Sequence, residues 1–231
     1  MKIISYSELG STNSEAKRLS REVPPWTIIV AEKQTSGYGK KKKSWFSPIG
    51  GLYLSIILPP KFSFPLSLLN LATGIALIKV LKKYYLRNLS LKWPNDVRVR
   101  EKKIAGILSE NIIGKKLKSS IVGIGLNTNI NYFPRELQKK ATSLKKELKR
   151  EIKNRKIIES ILRELKKVLK MSPEKILKEY RKYENTLEKE VTIITHNKKI
   201  KGKAFDFDQE GNLILKLKNN KLKTVYWGEI V

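Results

Sequence analysis

The chain has 231 residues, enough for one substantial domain and a small second one, and it contains no cysteine and a single histidine, His196. This composition excludes cysteine nucleophiles, disulfides and Cys/His zinc sites, and it disfavours a Ser-His-acid triad because His196 falls in a predicted turn near the C-terminus. The formal charge of +28, from 49 Lys and Arg against 21 Asp and Glu, favours an acidic partner, nucleic acid or an anionic membrane, but it indicates no fold.

A strand and a helix are predicted first. Residues 2–6 have the composition of a strand, and Thr12 and Glu15 have the spacing of a capping box. This spacing predicts a helix that starts within residues 11–15 and runs to about Arg21. The hydroxyl and N–H groups of such a helix start either cap the helix alone or also bind a polar acceptor.

A lysine-rich loop with two glycines lies between the next two predicted strands, Trp26–Lys33 and Gly51–Leu58. Gly37 and Gly39 let the main chain approach a ligand closely, and the four lysines at 40–43 supply point charges suited to phosphate. The loop therefore has the composition of an anion-binding segment. A solvated turn is the alternative, because a lone Gly-x-Gly is weak evidence and charge runs usually lie on the surface.

The next segment predicts a buried helix and a group of short strands. Apolar residues at helical spacing over Pro65–Leu86 predict a helix that supports the back of a sheet. Strands are predicted at Leu89–Lys92, Val97–Arg100, Ile104–Glu110 and Leu117–Leu126, the middle two forming a hairpin. About the first 130 residues therefore predict an α+β layer in which a few helices cover one face of a sheet.

The remaining chain changes from helical to strand periodicity. From Arg135 to about Tyr183 the sequence is charged and helical, with one apolar face that includes Ile157, Ile161 and Leu165. Short strands are then predicted at Val191–Thr195, Ile200–Phe207, Leu213–Leu217 and Lys221–Trp227, with turns at Asn197-Lys198 and at 210–212. We therefore expect a large domain at 1–186 and a small β domain at 187–231.

Segments along the chain resemble, in the same order, the motifs of the biotin protein ligases. They are Ser11-Thr12-Asn13, the loop that runs through Ser44-Trp45-Phe46-Ser47-Pro48 into Gly51-Leu52-Tyr53-Leu54-Ser55, Lys92-Trp93-Pro94-Asn95-Asp96, Lys103-Ile104-Ala105-Gly106-Ile107-Leu108, and Gly123-Ile124-Gly125-Leu126-Asn127. The closing Trp227-Gly228-Glu229-Ile230 resembles the end of the family's C-terminal module. The resemblance implies an α+β fold, with a class II aminoacyl-tRNA-synthetase-like catalytic domain and a small C-terminal SH3-like β-barrel.

The resemblance also implies an activity. Such an enzyme activates biotin with ATP to biotinyl-5'-AMP and transfers the biotin to a lysine of a biotin carboxyl carrier protein. ATP and biotin would be substrates, Mg²⁺ would accompany the nucleotide, and neither step needs a protein nucleophile. Homodimers are common in the family, so a cytoplasmic homodimer is expected.

The site residues are assigned by the same resemblance. Biotin is assigned to Ser11, Thr12, Asn13, Gln34, Gly37, Tyr38, Gly39, Lys40, Lys103, Gly106 and Gly123. ATP is assigned to Lys40, Lys41, Trp45, Lys92, Asn95, Asp96, Lys103 and Asn127. Lys103 and Lys40 are the catalytic candidates, and no direct protein ligand to a metal is assigned. Core packing for Trp45 and simple turn chemistry for Asn95 and Asp96 remain open.

The loop departs from the family pattern. Tyr38 and Lys40 stand where the family usually has arginines, and Lys42 stands in place of a common glycine. Because a lysine cannot hold phosphate in the bidentate way of an arginine, we expect the loop to retain biotinyl-adenylate less tightly.

Other functions are considered beside this one. A lipoate–protein ligase shares the adenylation logic, but its motifs differ from those in this sequence. A DNA-binding regulator is disfavoured because the first predicted strand, starting at residue 2, leaves no room for the family's N-terminal helix-turn-helix. A non-catalytic biotin-binding module is disfavoured by the presence of Lys92 and Lys103. No apolar run approaches ~18 residues and the N-terminus does not have the design of a signal peptide, so a soluble protein is expected.

Overall fold

The computed structural model describes residues 2–60, 64–114, 117–195 and 198–230, so His196 and Asn197 of the predicted turn lie outside the described residues. A mixed sheet of seven strands forms the larger part, in the order β1-β2-β3-β7-β6-β5-β4. Its strands are β1 (Ile3–Leu9), β2 (Ile28–Gln34), β3 (Leu52–Leu58), β4 (Leu89–Lys92), β5 (Asp96–Val99), β6 (Lys102–Ile113) and β7 (Leu117–Leu126). Only β1 and β2 pair in parallel. All the strands predicted for this part are confirmed.

Five helices accompany this sheet within the described residues. They are α1 (Thr12–Leu19), α2 (Leu69–Lys82), α3 (Leu144–Leu148), α4 (Asn154–Val168) and α5 (Pro173–Arg181). The predicted apolar face of the charged region is buried on α4, at Ile157, Ile161 and Leu165 among others. Helix α2 packs between the sheet and the α4 and α5 pair, as predicted for a buried support.

The prediction that helices cover only one face of the sheet is wrong. Helix α1 lies on the other face, where Ala16 and Leu19 pack against Ile29, Ile57 and Ile121. Strand β3 is buried at every position, which is the pattern of a strand covered on both faces.

The helix boundaries also differ from the predictions. Ser11, and not Thr12, caps α1, because the Ser11 side chain accepts from the Ser14 N–H at 3.5 Å. The predicted helix at 65–86 begins with a short 3-10 turn, and α2 ends at Lys82. Residues 135–143 form turns and not helix, and Ser143 begins the next helix as its N-cap.

A second, antiparallel sheet follows, in the order β11-β10-β9-β8-β12. Its strands are β8 (Glu190–Ile194), β9 (Lys199–Phe207), β10 (Leu213–Lys216), β11 (Leu222–Val225) and β12 (Glu229–Ile230). The four predicted strands are confirmed, but β11 ends before Trp227, and the short β12 was not predicted.

The second sheet is packed firmly onto the first. The buried Trp93 indole Nε1 donates to the Gly211 carbonyl at 3.0 Å. Gly211 has φ +79°, and a Cβ there would meet Leu68 and Leu71 of the α2 region at 2.8 Å each. Both sheets contribute to one hydrophobic core, so the small sheet has a defined position beside the large one. No helix in the described ranges combines the length and apolar character needed to cross a bilayer.

Candidate functional site

A cavity of about 440 Å³ opens where the glycine and lysine loop, the ends of the central strands and the last residues of the second sheet meet. Its lining contains nearly all the predicted site residues: Ser11, Thr12, Asn13, Gln34, Tyr38, Gly39, Lys40, Lys41, Trp45, Lys92, Asn95, Asp96, Lys103, Gly106, Gly123 and Asn127. Gly37 is not part of the lining. A Cβ on Gly37 would meet Ser47 Oγ at 2.6 Å and Gln34 Nε2 at 2.7 Å. The absence of a side chain at Gly37 therefore lets the loop backbone approach Ser47 and Gln34 closely.

One end of the cavity is a buried polar network at the start of α1. The Thr12 N–H donates to Gln34 Oε1 at 2.8 Å, and Gln34 Nε2 donates to Ser47 Oγ at 2.9 Å. The Ser55 hydroxyl, fully buried, donates to Asn13 Oδ1 at 2.6 Å. These bonds hold the side chains in fixed orientations and present oriented donors and acceptors to a small polar ligand.

A carboxylate on β6 ties the glycine loop to this polar end. Glu110 accepts from Lys17 Nζ at 2.6 Å, from Asn13 Nδ2 at 2.8 Å and from the Tyr38 hydroxyl at 3.0 Å. Partial burial disfavours the charged carboxylate, but these bonds outweigh it and lower the pKa of Glu110. Glu110 was not predicted as a site residue, because its segment has no unusual composition, and Ser55 lies in the Leu52-Tyr53-Leu54-Ser55 motif but was assigned no role.

The lowered pKa of Glu110 predicts an acid-dependent loss of stability. Its carboxylate stabilises the folded chain above the ordinary value of 4.5, and this stabilisation is lost as pH falls through the lower folded pKa. We expect Glu110→Gln to be less stable than the wild type above pH 4.5, and the difference to shrink as pH falls below that value. Denaturant unfolding across this range measures the difference, and a constant difference would contradict the prediction.

Three glycines on β6 and β7 make room for two side chains of the cavity. Gly106 and Gly125 are paired across the strands, and Trp45 lies over both of them. A Cβ on Gly106 would meet Trp45 Cζ3 at 2.9 Å, and one on Gly125 would overlap the indole nitrogen. A Cβ on Gly123 would overlap the Asn13 amide in the same way. Trp45 therefore packs on the sheet and also forms a wall of the cavity.

Positive side chains line the opposite part of the cavity. Lys103 Nζ lies 2.7 Å from Asp96 Oδ1 and 4.9 Å from the centroid of the Trp45 ring. Lys92 Nζ donates to the Ile230 carbonyl at 2.9 Å, and burial lowers the pKa of Lys92. An anion bound among these ammonium groups would compensate for the hydration that they lose on burial.

The lysine loop itself contacts the end of the second sheet. Lys40 Nζ donates to the Gly228 carbonyl at 3.4 Å, Lys41 lies 4.8 Å from the centroid of the Trp227 ring, and Lys43 forms an ion pair with Glu229. Burial also lowers the pKa of Lys40. The loop is thus held against residues 227–229. Its backbone turns sharply at Lys41 and Lys42, which both have positive φ, of 57° and 58°.

Two of the predicted residues line the cavity but use their side chains to hold its backbone. Asn95 Nδ2 donates to the Ile107 carbonyl at 2.9 Å, and Asn127 Nδ2 donates to the Thr142 carbonyl at 3.0 Å. Asn95 thus joins the turn after the cis Trp93-Pro94 peptide to β6. Asn127 joins the end of β7 to residues 139–142, which run beside Lys103.

Several lining residues were not predicted from the sequence. They are the apolar Phe46, Phe133, Leu137 and Ala141, and the charged Arg98, Glu101 and Glu229. The apolar ones lie mostly in residues 128–143, where helix was predicted from Arg135 but the chain forms turns whose position depends on contacts with distant strands. Phe133 could have been recognised from the sequence, because it is a large apolar residue in a polar loop. Its ring centroid lies 6.2 Å from that of Phe46.

A metal site formed by the protein alone is not present in the ranges the structure describes. No group of three or more Asp, Glu or His side chains is close enough there to hold an ion. The carboxylates nearest the lysines, Asp96 and Glu229, are engaged with Lys103 and Lys43.

The chain matches two family models and several proteins of known identity. Residues 7–127 match the biotin/lipoate A/B protein ligase family, and residues 186–231 match the biotin protein ligase C-terminal domain. The bifunctional ligase/repressor BirA of Bacillus subtilis (strain 168) is 33% identical over 242 residues, which cover 99% of this chain and 73% of that protein. The biotin–[acetyl-CoA-carboxylase] ligase of Paracoccus denitrificans is 31% identical over 121 residues, 51% of this chain and 50% of that protein.

The three-dimensional comparison agrees with these matches. The biotin protein ligase from Aquifex aeolicus in complex with biotin and ATP superposes with a TM-score of 0.86 at 30% identity, covering 100% of this chain and 97% of that one. The predicted fold class is confirmed: a biotin ligase catalytic fold with a mixed sheet, followed by a separate C-terminal antiparallel sheet. The protein therefore belongs to the biotin/lipoate A/B protein ligase family and carries the C-terminal domain of the biotin protein ligases.

Proposed function

We propose that the protein activates biotin with ATP to biotinyl-5'-AMP and transfers the biotin to a lysine of a biotin carboxyl carrier protein. The observation that carries this proposal is one cavity that joins a buried polar network to a group of lysines. A similar fold holds biotin and ATP together in the Aquifex aeolicus ligase. The two ends of the cavity match the two substrates in chemistry.

The polar end suits the bicyclic head of biotin. Thr12, Asn13 and Gln34 present fixed hydroxyl and amide groups, and the glycine loop closes over them through the bond from Tyr38 to Glu110. A urea-like group needs both donors and acceptors, and this network supplies both. Trp45 and the glycines beneath it form the wall along which the ligand tail would lie.

Lys103 is placed to assist the first chemical step. An oxygen of the biotin carboxylate attacks the α-phosphorus of ATP, a new P–O bond forms, and the bond to the bridging oxygen breaks with pyrophosphate leaving. Two negative groups must meet in this step, and a fixed ammonium group between them lowers the barrier. Asp96 and the Trp45 ring hold Lys103 in position.

Lys92 and Lys40 are proposed to bind the nucleotide phosphates. Both line the cavity, and both have a pKa lowered by burial, so a phosphate group would compensate for lost hydration. The apolar wall of Phe133, Leu137 and Ala141 is proposed to receive the adenine. Asn95, Asp96 and Asn127 then support the nucleotide end of the cavity.

Mg²⁺ is proposed as a companion of ATP and not as a resident of the protein. The carboxylates of the cavity, Asp96, Glu101 and Glu229, are already engaged with Lys103, Arg98 and Lys43, so the donor set does not form a dedicated metal site. When bound to the phosphates, the ion would reduce their negative charge.

In the second step, a neutral lysine amine of the carrier attacks the activated carbonyl carbon of the adenylate, and AMP leaves with the electrons of the C–O bond. The strongly positive chain is suited to an acidic carrier domain, because opposite charges speed association.

We propose a cytoplasmic homodimer, with a catalytic unit at 1–186 and a C-terminal unit at 187–231. The match of the C-terminal model to residues 186–231 supports this division. Looser retention of the adenylate by the lysine loop stays a prediction.

The proposal is tested by ATP–pyrophosphate exchange with purified protein and Mg²⁺, in the presence of biotin, of lipoate, or of neither acid. We expect exchange with biotin alone, because a hydrogen-bonding site rejects an analogue that cannot form its bonds. A folded protein that binds biotin without catalysing exchange would overturn the ligase function, and exchange with lipoate alone would assign the protein to the other branch of the family.

A further inference from the structure

Arg98 is a cavity residue for which the site described above has no role. It lies on β5, where Val97 and Val99 are buried in the core while Asp96 and Arg98 point to the opposite face. That face is the wall of the cavity, and both residues belong to its lining. Arg98 is also the register partner of Lys103 on β6, so the two side chains start from neighbouring positions.

The guanidinium of Arg98 is only partly used by the protein. Its Nη1 lies 3.1 Å from Glu101 Oε2, and Glu101 is 78% exposed, so this ion pair contributes little. The Arg98 Nε is buried and has no hydrogen-bond partner within the described ranges. An arginine carries five N–H donors, and an orphaned buried one calls for an acceptor.

The surroundings of Arg98 are positive. Its charge acts on Lys92, as does that of Lys103, and together with burial these charges lower the pKa of Lys92. Asp96 and Glu229 offset part of this repulsion, and both already form ion pairs, with Lys103 and Lys43 respectively. Such a group of cations in a cleft is favourable when a multiply charged anion binds among them.

The side chains of Arg98 and Lys103 point in different directions, although their backbones are neighbours. Lys103 turns toward Asp96 and the Trp45 ring, which is the inner side of the cavity. Arg98 turns toward Glu101, at the tip of the hairpin between β5 and β6, and its side chain is 19% exposed against 30% for Lys103. If Lys103 meets the reacting α-phosphate, Arg98, its register partner on the adjacent strand, is within reach of the phosphates that follow it.

We propose that Arg98 binds the terminal phosphates of ATP and the pyrophosphate that leaves, with its free N–H groups donating to phosphate oxygens. The inference rests on the proposed function. No proton moves in this step: the bridging oxygen keeps the electron pair of the broken P–O bond, and the guanidinium neutralises the charge that develops there. Glu101 is displaced from Arg98 when the phosphates bind.

The test compares Arg98→Gln, Arg98→Lys and the matched control Arg87→Gln, an exposed arginine outside the cavity. Biotin-dependent exchange gives the KM for pyrophosphate and for ATP, and calorimetry gives the Kd for biotin. We expect Arg98→Gln to raise the KM for pyrophosphate about tenfold or more. Arg98→Lys should recover part of the lost affinity for pyrophosphate, because it keeps the positive charge but lacks the paired N–H groups of the guanidinium. The Kd for biotin should stay within about twofold, and the control should behave like the wild type.

Two results would overturn the role of Arg98. One is an unchanged KM for pyrophosphate in Arg98→Gln. The other is an equal loss of biotin affinity, which would mean that the arginine only supports the fold of the hairpin. Calorimetric titration of the wild type and Arg98→Gln with pyrophosphate and Mg²⁺ keeps this question separate from the ligase function. Weaker binding of pyrophosphate by the variant would support the inference even if the wild type showed no exchange with biotin.

Discussion

Replacing Lys103 with alanine is expected to reduce biotin-dependent ATP–pyrophosphate exchange about a hundred- to a thousandfold, while the Kd for biotin changes little. The reason is that the Lys103 ammonium is fixed by Asp96 at 2.7 Å and by the Trp45 ring, and the proposed function has carboxylate and phosphate meet beside it. Its contribution is therefore largest in the transition state, so kcat should fall more than binding weakens.

The neighbouring Lys102 provides the control for this prediction. It is exposed and outside the cavity, so Lys102→Ala removes the same charge from the same strand without changing the site. The free energy of unfolding should change by about 1 kcal/mol or less in Lys103→Ala, because its ion pair is partly open to solvent. A Lys103→Ala enzyme with exchange within a factor of about five of the wild type would show that this lysine does not carry the chemistry.

The second large effect is expected for Gly123→Ala. The added methyl group would overlap the Asn13 amide, which is buried and held by Ser55 and Glu110. Since Asn13 cannot move without losing these bonds, we expect biotin affinity to fall about a hundredfold. The free energy of unfolding should fall by about 1–3 kcal/mol, as for other overpacked positions. Isothermal calorimetry and denaturant unfolding measure the two effects.

Gly10→Ala is the matched control, because a Cβ at Gly10 would meet no atom within 4 Å. The double variant Gly123→Ala with Asn13→Ala separates the two consequences. Removing the amide relieves the overlap, so stability should recover while biotin binding stays weak. Biotin binding within about threefold of the wild type in Gly123→Ala would contradict the placement of Asn13 in the site.

The sequence predicted the parts of the site that lie in short continuous motifs. Lys92, Asp96 and Lys103 were assigned by the resemblance of their motifs to the family, while the apolar patterns predicted the strands at whose ends they lie; all three line the cavity. The same patterns identified α2 and α4, because each has an apolar face long enough to be distinguished from a strand.

The residues that were missed depend on contacts between distant segments. Arg98 lies within an ordinary strand, and nothing local distinguishes a strand position that faces a cavity from one that faces the core. Ser55 lies in a recognised motif, but its bond to Asn13, 42 residues away in the chain, is not predictable from that motif. The position of α1 on the second face of the sheet was missed for the same reason. Continuous burial of β3 indicates two covered faces, but not which helix covers each of them.

The contacts between the lysines and the end of the second sheet bear on how the chain folds. The bond from Lys40 to Gly228 spans 188 residues, and the bond from Lys92 to Ile230 spans 138. Neither bond can form before the C-terminal strands exist and have docked on the first sheet. The cationic wall of the cavity is therefore completed only after the small sheet has docked. A nascent chain that already contains the whole first sheet therefore still lacks the Gly228 and Ile230 carbonyls that hold Lys40 and Lys92, and its group of lysines is not yet fixed in position.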